Sequence, residues 1–75
     1  MFDLKVLDSD GVLIQSKNSK LKSFKLNSSS AVNSTASLIY EDGRVEELKK
    51  VKGVVIEGDF LLIKTKKYSY IVQRL

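Results

Sequence analysis

The chain has 75 residues with 13 basic and 9 acidic side chains, a formal net charge of +4, 43% apolar residues and neither cysteine nor histidine. This length allows one small domain, residues 1–75, whose stability has to come from an apolar core. Without cysteine or histidine there is no disulfide framework and no zinc site of the usual Cys/His type, so we expect no metal and no cofactor.

Neither membrane insertion nor export is expected. The longest apolar runs have three or four residues, whereas about 20 are needed to span a bilayer. Asp3 and Lys5 bring charges of both signs close to Met1, unlike the apolar segment of a secretory signal. We therefore expect a cytoplasmic protein.

The first part of the chain alternates in the manner of strands. Apolar residues at positions 2, 4 and 6 share one face of a predicted strand, because successive side chains of a strand point to opposite sides. Asp10-Gly11 predicts a tight turn, since glycine adopts a positive φ without steric cost. Val12 and Ile14 predict a strand beyond this turn, and residues 24–26 predict another.

The middle of the chain contains two segments with more than one interpretation. Residues 27–37 are rich in serine and asparagine and carry no charge, which predicts a flexible loop that is either a tether or functional. A strand at 38–40 then leads to a turn at Asp42-Gly43. Residues 44–52 fit a strand leaving that turn, which we slightly favour, but their acidic start and basic end also fit a short helix.

Two continuous apolar runs follow, at 54–56 and 60–63, separated by Gly58-Asp59. Runs of this kind are typical of strands covered on both faces, so we expect them to form the central hairpin. Within the second run, the alternation places Phe60 and Leu62 on the face that is buried.

A last strand at 68–72 completes the pattern. With three glycine-containing turns and no proline, the chain is predicted to be all-β, a small antiparallel meander of about six strands that forms an open barrel or half-barrel. It is SH3-like or OB-like in size, with one short helix near 44–52 as the alternative for that segment. Architecture of this kind does not determine function.

One short motif has the pattern of a catalytic site. Asp8-Ser9-Asp10-Gly11, after an apolar strand, resembles the first motif of the haloacid-dehalogenase-like phosphatases, which implies Asp8 as nucleophile and Asp10 as acid/base beside Mg²⁺. The resemblance covers about eleven residues, and that family's doubly wound parallel sheet takes well over about 100. No later pair of acids completes a Mg²⁺ site. A hairpin turn is the favoured interpretation, and we predict no catalytic residue.

A basic and aromatic cluster predicts a binding surface. Its members are Lys64, Lys66, Lys67, Tyr68, Tyr70 and Arg74, joined by Lys20, Lys22 and Lys25. Lysines interleaved with tyrosines can hold single-stranded nucleic acid, because the lysines follow the phosphates while the rings stack on bases. The other interpretation is that Tyr68 and Tyr70 point into the core, in phase with Val72.

Apolar residues on the opposite strand faces indicate a different ligand. They are Leu7, Leu13, Ile39, Leu61, Ile63 and Ile71. An exposed apolar patch is typical of a surface for a protein partner or a homo-oligomer. We therefore expect a non-enzymatic interaction module that binds another protein, as an adaptor, inhibitor or regulator of bacterial or phage origin. Nucleic-acid binding is the alternative.

Overall fold

The computed structural model describes residues 1–28 and 34–75, which form seven strands and one 3₁₀ turn, Gln15–Lys17. The strands are β1 (Phe2–Leu7), β2 (Ser19–Ser28), β3 (Ser34–Tyr40), β4 (Val45–Leu48), β5 (Gly53–Glu57), β6 (Phe60–Lys64) and β7 (Ser69–Arg74). Within these ranges, no helix is long and apolar enough to cross a membrane.

All these strands belong to one antiparallel sheet in the order β4-β3-β2-β1-β7-β6-β5. Strands that are consecutive in the chain are neighbours in the sheet, with one exception between β4 and β5. β4 and β5 are the two terminal strands of the sheet, and the first strand, β1, pairs with the last, β7, with Leu4 opposite Val72 and Val6 opposite Tyr70. The prediction of a small antiparallel β-meander is confirmed, with one strand more than expected.

The sheet curls so that one of its faces forms the core. The buried cluster consists of Leu4, Val6, Leu21, Ala36, Leu38, Leu48, Val51, Leu61, Ile63, Tyr70 and Val72. Leu48 on β4 and Ile63 on β6 lie five strand positions apart in the sheet order, which in a flat sheet would separate them by roughly 24 Å. Because they share one core, the sheet is an open barrel whose gap lies between β4 and β5.

Residues 49–52 bridge this gap at one end. The backbone N–H of Val51 donates to the carbonyl of Ser34 on β3 at 3.0 Å, and the N–H of Lys52 donates to the carbonyl of Lys64 on β6 at 2.8 Å. Lys50 has a φ of 55° where the chain turns from one sheet edge to the other. The segment thus ties the two edges together without closing the ladder between β4 and β5.

The three predicted turns are present, and each contains a glycine with positive φ. Gly43, with a φ of 93°, is the third residue of the four-residue loop between β3 and β4, where the N–H of Tyr40 donates to the carbonyl of Arg44 at 2.9 Å. Gly58, with a φ of 56°, is the first residue of the two-residue loop between β5 and β6, the position where a type II′ turn favours glycine.

Strand pairing assigns part of each segment that had more than one interpretation, residues 44–52 and residues 27–37. Residues 45–48 pair with β3 as strand β4, so within 44–52 the strand interpretation is confirmed for these four residues, and the helical alternative is wrong. Residues 27–28 and 34–37 of the predicted loop belong to β2 and β3. Residues 29–33, the remainder of that prediction, lie outside the described residues.

Two expectations about the hairpin of β5 and β6 are wrong. The hairpin is at the margin of the sheet, not at its centre, and β5 is the terminal strand. On β6 the buried side chains are Leu61 and Ile63, whereas Phe60 and Leu62 face outward. The run is apolar on both faces, so periodicity alone could not determine which set faces the core.

Candidate functional site

The outer edge of β5 carries backbone groups that the sheet leaves unpaired. Which groups these are follows from the side of β6 that faces β7. There the N–H of Arg74 donates to the carbonyl of Asp59 at 3.1 Å, and the N–H of Thr65 donates to the carbonyl of Tyr68 at 2.9 Å. Asp59 and Thr65 therefore belong to hydrogen-bonded pairs with β7. Because bonded and non-bonded pairs alternate along an antiparallel ladder, Phe60, Leu62 and Lys64 direct their own N–H and C=O groups away from β7 and toward β5.

It follows which residues of β5 face outward. Phe60, Leu62 and Lys64 lie opposite Glu57, Val55 and Gly53 respectively. Because hydrogen-bonded and non-bonded pairs alternate along an antiparallel ladder, Val54 and Ile56 point their N–H and C=O groups away from β6. Among the described residues, no other strand pairs with this edge.

The side chains of Val54, Val55 and Ile56 are apolar, and they are exposed on both faces of β5. Val54 and Ile56 lie on the core face, opposite Ile63 and Leu61, yet Ile56 is 71% exposed while Leu61 is 5% exposed. The difference arises because no described strand lies beyond β5 to cover its side chains. Val55, on the outer face, is also exposed.

A recess lies on each side of β5. The inner recess, of about 220 Å³, contains the edge-to-face pair Phe2 and Phe24, whose ring centroids are 5.1 Å apart, and it extends to Ile56. Asp59 and Arg74 supply its charged groups. The outer cleft, of about 250 Å³, is lined by Val55, Glu57, Phe60, Leu62 and Ile71. Together with Val54, Val55 and Ile56 these two recesses form what we call the β5 surface.

The free edge on the opposite margin of the sheet is different. β4 has four residues and carries Glu46 and Glu47 in its middle. Short edge strands with charged side chains are a common protection against strand addition. β5 has three consecutive apolar residues, Val54 to Ile56, and no charged residue lies between Lys52 and Glu57. The sheet is thus protected at β4 and unprotected at β5.

A polar recess of about 220 Å³ lies at the end of the barrel near Val6 and Tyr70. There the Tyr40 hydroxyl donates to Oε1 of Glu46 at 2.5 Å, and the guanidinium of Arg44 lies 4.8 Å from the centroid of the Tyr40 ring. Burial, and then the bond to Glu46, raise the pKa of Tyr40 above its ordinary value. The side chains of Tyr40, Glu46 and Arg44 thus interact with one another, and we assign these contacts a structural role.

The structure brings together one part of the predicted basic and aromatic cluster. Tyr70 is 6% exposed and belongs to the core, so its ring has no free face for a base. Tyr68 is partly buried, with its ring edge-to-face with Tyr70 at 6.1 Å and the Nζ of Lys17 5.1 Å from its centroid. Lys66 and Lys67, directly before Tyr68, are exposed.

The other predicted residues are exposed but dispersed. Lys64 is at the end of β6 next to the Lys66 and Lys67 turn, whereas Arg74 is at the opposite end of β7 and lines the inner recess. Lys20, Lys22 and Lys25 lie along β2, which is separated from β6 by β1 and β7. The nine predicted residues therefore do not form one continuous surface.

The motif that resembles a phosphatase is a turn. Oδ1 of Asp8 accepts hydrogen bonds from the backbone N–H groups of Asp10 and Val12, both at 2.9 Å. This arrangement is an aspartate-capped turn of the kind that short polar side chains favour. Among residues 1–28 and 34–75, no group of three or more acidic, histidine or cysteine side chains is placed to hold a metal.

The predicted outward-facing apolar set is only partly outward. Leu61 and Ile63 are buried, while Leu7, Ile39 and Ile71 are partly buried and Leu13 is exposed. Sequence reasoning missed Val54, Val55 and Ile56 as candidate surface residues. The available signal was that this apolar run has no charge within it.

Comparisons with protein-family models, with curated proteins and with solved structures found no match for this chain.

Proposed function

We propose that this protein is a non-enzymatic interaction module that binds an extended segment of a second protein chain along the edge of β5. The observation that carries the proposal is the edge itself, where Val54 and Ile56 direct outward backbone groups that no strand among residues 1–28 and 34–75 pairs with, and where their side chains are exposed. Strand addition of this kind derives affinity from main-chain hydrogen bonds and specificity from pockets for alternate side chains.

The two recesses give each face of the bound segment a place. A strand added to β5 directs successive side chains to opposite faces of the sheet. One set would lie over Ile56 and the aromatic pair Phe2 and Phe24, while the other would lie over Val55 and Leu62. Burial of these exposed apolar side chains contributes about 25 cal/mol for each Å² removed from water.

The absence of charge from Val54 to Ile56 supports a binding role. An exposed apolar edge favours aggregation, so natural sheets usually place charges, prolines or bulges there. Val54, Val55 and Ile56 have none of these features, although a single substitution to lysine would supply a charge. A surface with this liability is most simply explained by an occupant that covers it.

Affinity capture with a matched control tests the proposal. The baits are the unaltered protein, Ile56→Lys on β5 and Val45→Lys on β4, where Val45 is 64% exposed. Both substitutions are at exposed sites and should change the free energy of unfolding by no more than about 0.5 kcal/mol. The partner should be retained by Val45→Lys and lost by Ile56→Lys.

Hydrogen exchange then identifies the contact. In the complex with the captured partner, the amides of Val54 and Ile56 should exchange more slowly than in the free protein, because a new strand would accept their hydrogen bonds. Retention of the partner by Ile56→Lys, or unchanged exchange at both amides, would contradict the proposal.

Nucleic-acid binding is the second candidate. Lys17, Lys66 and Lys67 are near Tyr68, the one tyrosine of the predicted pair whose ring is partly exposed. Positive charge around a ring is the pattern that holds single strands. With Tyr70 in the core, this surface offers at most one ring for stacking, which makes it the weaker of the two candidates.

A further inference from the structure

We propose that the strand which binds to β5 is β5 of a second copy of this chain, paired antiparallel about a twofold axis at Val55. This inference rests on the proposed function of the β5 edge and names the partner that occupies it. The result is a symmetric dimer in which two curled sheets are joined edge to edge.

The spacing of the outward backbone groups fits this symmetry. Val54 and Ile56 flank Val55 at equal distances along the strand. In an antiparallel pair centred on Val55, Val54 lies opposite the second copy's Ile56, and each such pair exchanges both N–H···O bonds. The groups that the sheet leaves unpaired are thereby satisfied on both copies by a single twofold operation.

In this pairing, apolar side chains of one copy contact apolar side chains of the other. Residues opposite each other in an antiparallel ladder point to the same face, so Ile56 would pack on the second copy's Val54 and Val55 on its own equivalent. A strand bound to β5 needs apolar side chains on both of its faces. Val54–Ile56 has this property, and the only longer apolar run, 60–63, lies inside the sheet as β6.

Charge selects the antiparallel direction. Lys52 precedes β5, and Glu57 ends it. Antiparallel pairing brings Lys52 of one copy near Glu57 of the other at each end of the interface, whereas parallel pairing would bring like charges together. Gly53 lies opposite the second copy's Glu57 in this register, and the open space around Gly53 leaves room for that side chain.

A single engineered cysteine tests the register. The chain contains no cysteine, so Val55→Cys introduces one thiol at the twofold axis, where Cα atoms of a non-bonded antiparallel pair are about 4.5 Å apart, within disulfide range. Val55→Cys should form a disulfide-linked dimer under mild oxidation. Val45→Cys, with a similarly exposed position on β4, should link at least tenfold more slowly.

Sedimentation equilibrium measures the association without a crosslink. The unaltered protein should show a concentration-dependent mass that rises from that of one chain to that of two. Ile56→Lys should weaken the dimer at least tenfold, since it places two lysines into an apolar contact. Because Ile56 is exposed in the single chain, an unchanged circular dichroism spectrum should show that this variant still folds.

The outcomes separate the dimer from the wider proposal. A monomeric protein whose Val54 and Ile56 amides become protected by a captured partner would overturn the dimer and leave the β5 edge as a site for other proteins. A monomeric protein with no such protection would overturn both. Equal rates of linkage for Val55→Cys and Val45→Cys would overturn the register at Val55, because random collision would then explain both.

Discussion

The hydroxyl of Tyr40 donates a hydrogen bond to the carboxylate of Glu46 at 2.5 Å, across the loop that joins β3 to β4. The bond connects the core-facing side of the terminal strand β4 to its neighbour, and the guanidinium of Arg44 lies 4.8 Å from the centroid of the Tyr40 ring. Glu46 is thereby held at the edge of the sheet that carries protective charge, while Tyr40 stays protonated.

From the hydrogen-bonded pair of Tyr40 and Glu46 we expect a loss of stability at alkaline pH. Burial and the bond to Glu46 raise the pKa of Tyr40 in the folded state above its unfolded value of about 10. A raised folded pKa stabilises the protein fully below the unfolded pKa, and this contribution is lost as pH rises beyond it. The free energy of unfolding should therefore fall above about pH 10, and fall less steeply in Tyr40→Phe.

Urea denaturation of both proteins between about pH 8 and pH 11 measures this difference. Lysines titrate in the same range, but their contribution is common to both proteins and cancels in the comparison. Tyr70 retains its own raised pKa, caused first by burial and then by Glu46, so Tyr40→Phe should keep part of the slope. Parallel curves for the two proteins would show that Tyr40 contributes nothing.

The neighbouring leucines of β6 provide a test of the sheet's orientation. Leu61 is buried, whereas Leu62 is on the outer face and only partly buried. Leu61→Ala should cost about 2–5 kcal/mol, because it leaves a cavity in the core. Leu62→Ala should cost about 1 kcal/mol or less. Urea denaturation followed by circular dichroism compares them, and a larger cost for Leu62→Ala would reverse the assignment of faces.

The turn at Asp8 should be indifferent to magnesium. Its carboxylate already accepts two backbone hydrogen bonds, from Asp10 and Val12. Asp8→Asn keeps an acceptor oxygen and should be nearly neutral, whereas Asp8→Ala should destabilise by about 1 kcal/mol through loss of the turn's hydrogen bonds. Thermal unfolding with and without Mg²⁺ checks this. A Mg²⁺-dependent rise in Tm that disappears in Asp8→Asn would instead support the phosphatase-like site.

Binding of nucleic acid should be weak and sensitive to salt. The exposed lysines near Tyr68 attract phosphate, but the buried Tyr70 offers no stacking platform. Fluorescence anisotropy with labelled single- and double-stranded oligonucleotides at two salt concentrations measures the affinity. We expect no binding at physiological salt, because charge contacts alone weaken steeply with ionic strength. Micromolar binding at that salt, lost in Lys66→Glu/Lys67→Glu, would favour the nucleic-acid candidate.

Part of the candidate site was predictable from the sequence and part was not. The run 54–56 and its turn at Gly58-Asp59 were evident, but the apolar residues predicted to face outward did not include this run. Its location was not evident, because a strand apolar on both faces is equally compatible with the centre of a sheet and with an edge that a partner covers. The structure places this run at the edge, where Ile56 is 71% exposed.

Local chemistry in the sequence by itself determined the three glycine turns and most of the strands, but not the strand predicted at Val12 and Ile14, where the structure has only a bridge from Leu13 to Leu7. Alternation requires extended backbone, and glycines at 11, 43 and 58 supply the positive φ that the reversals need. Only the tertiary structure decided which strands pair, because the ladder between β1 and β7 joins segments far apart in the chain. That long-range pairing buries Tyr70, leaves β4 and β5 unjoined, and so turns an ordinary apolar run into an open edge.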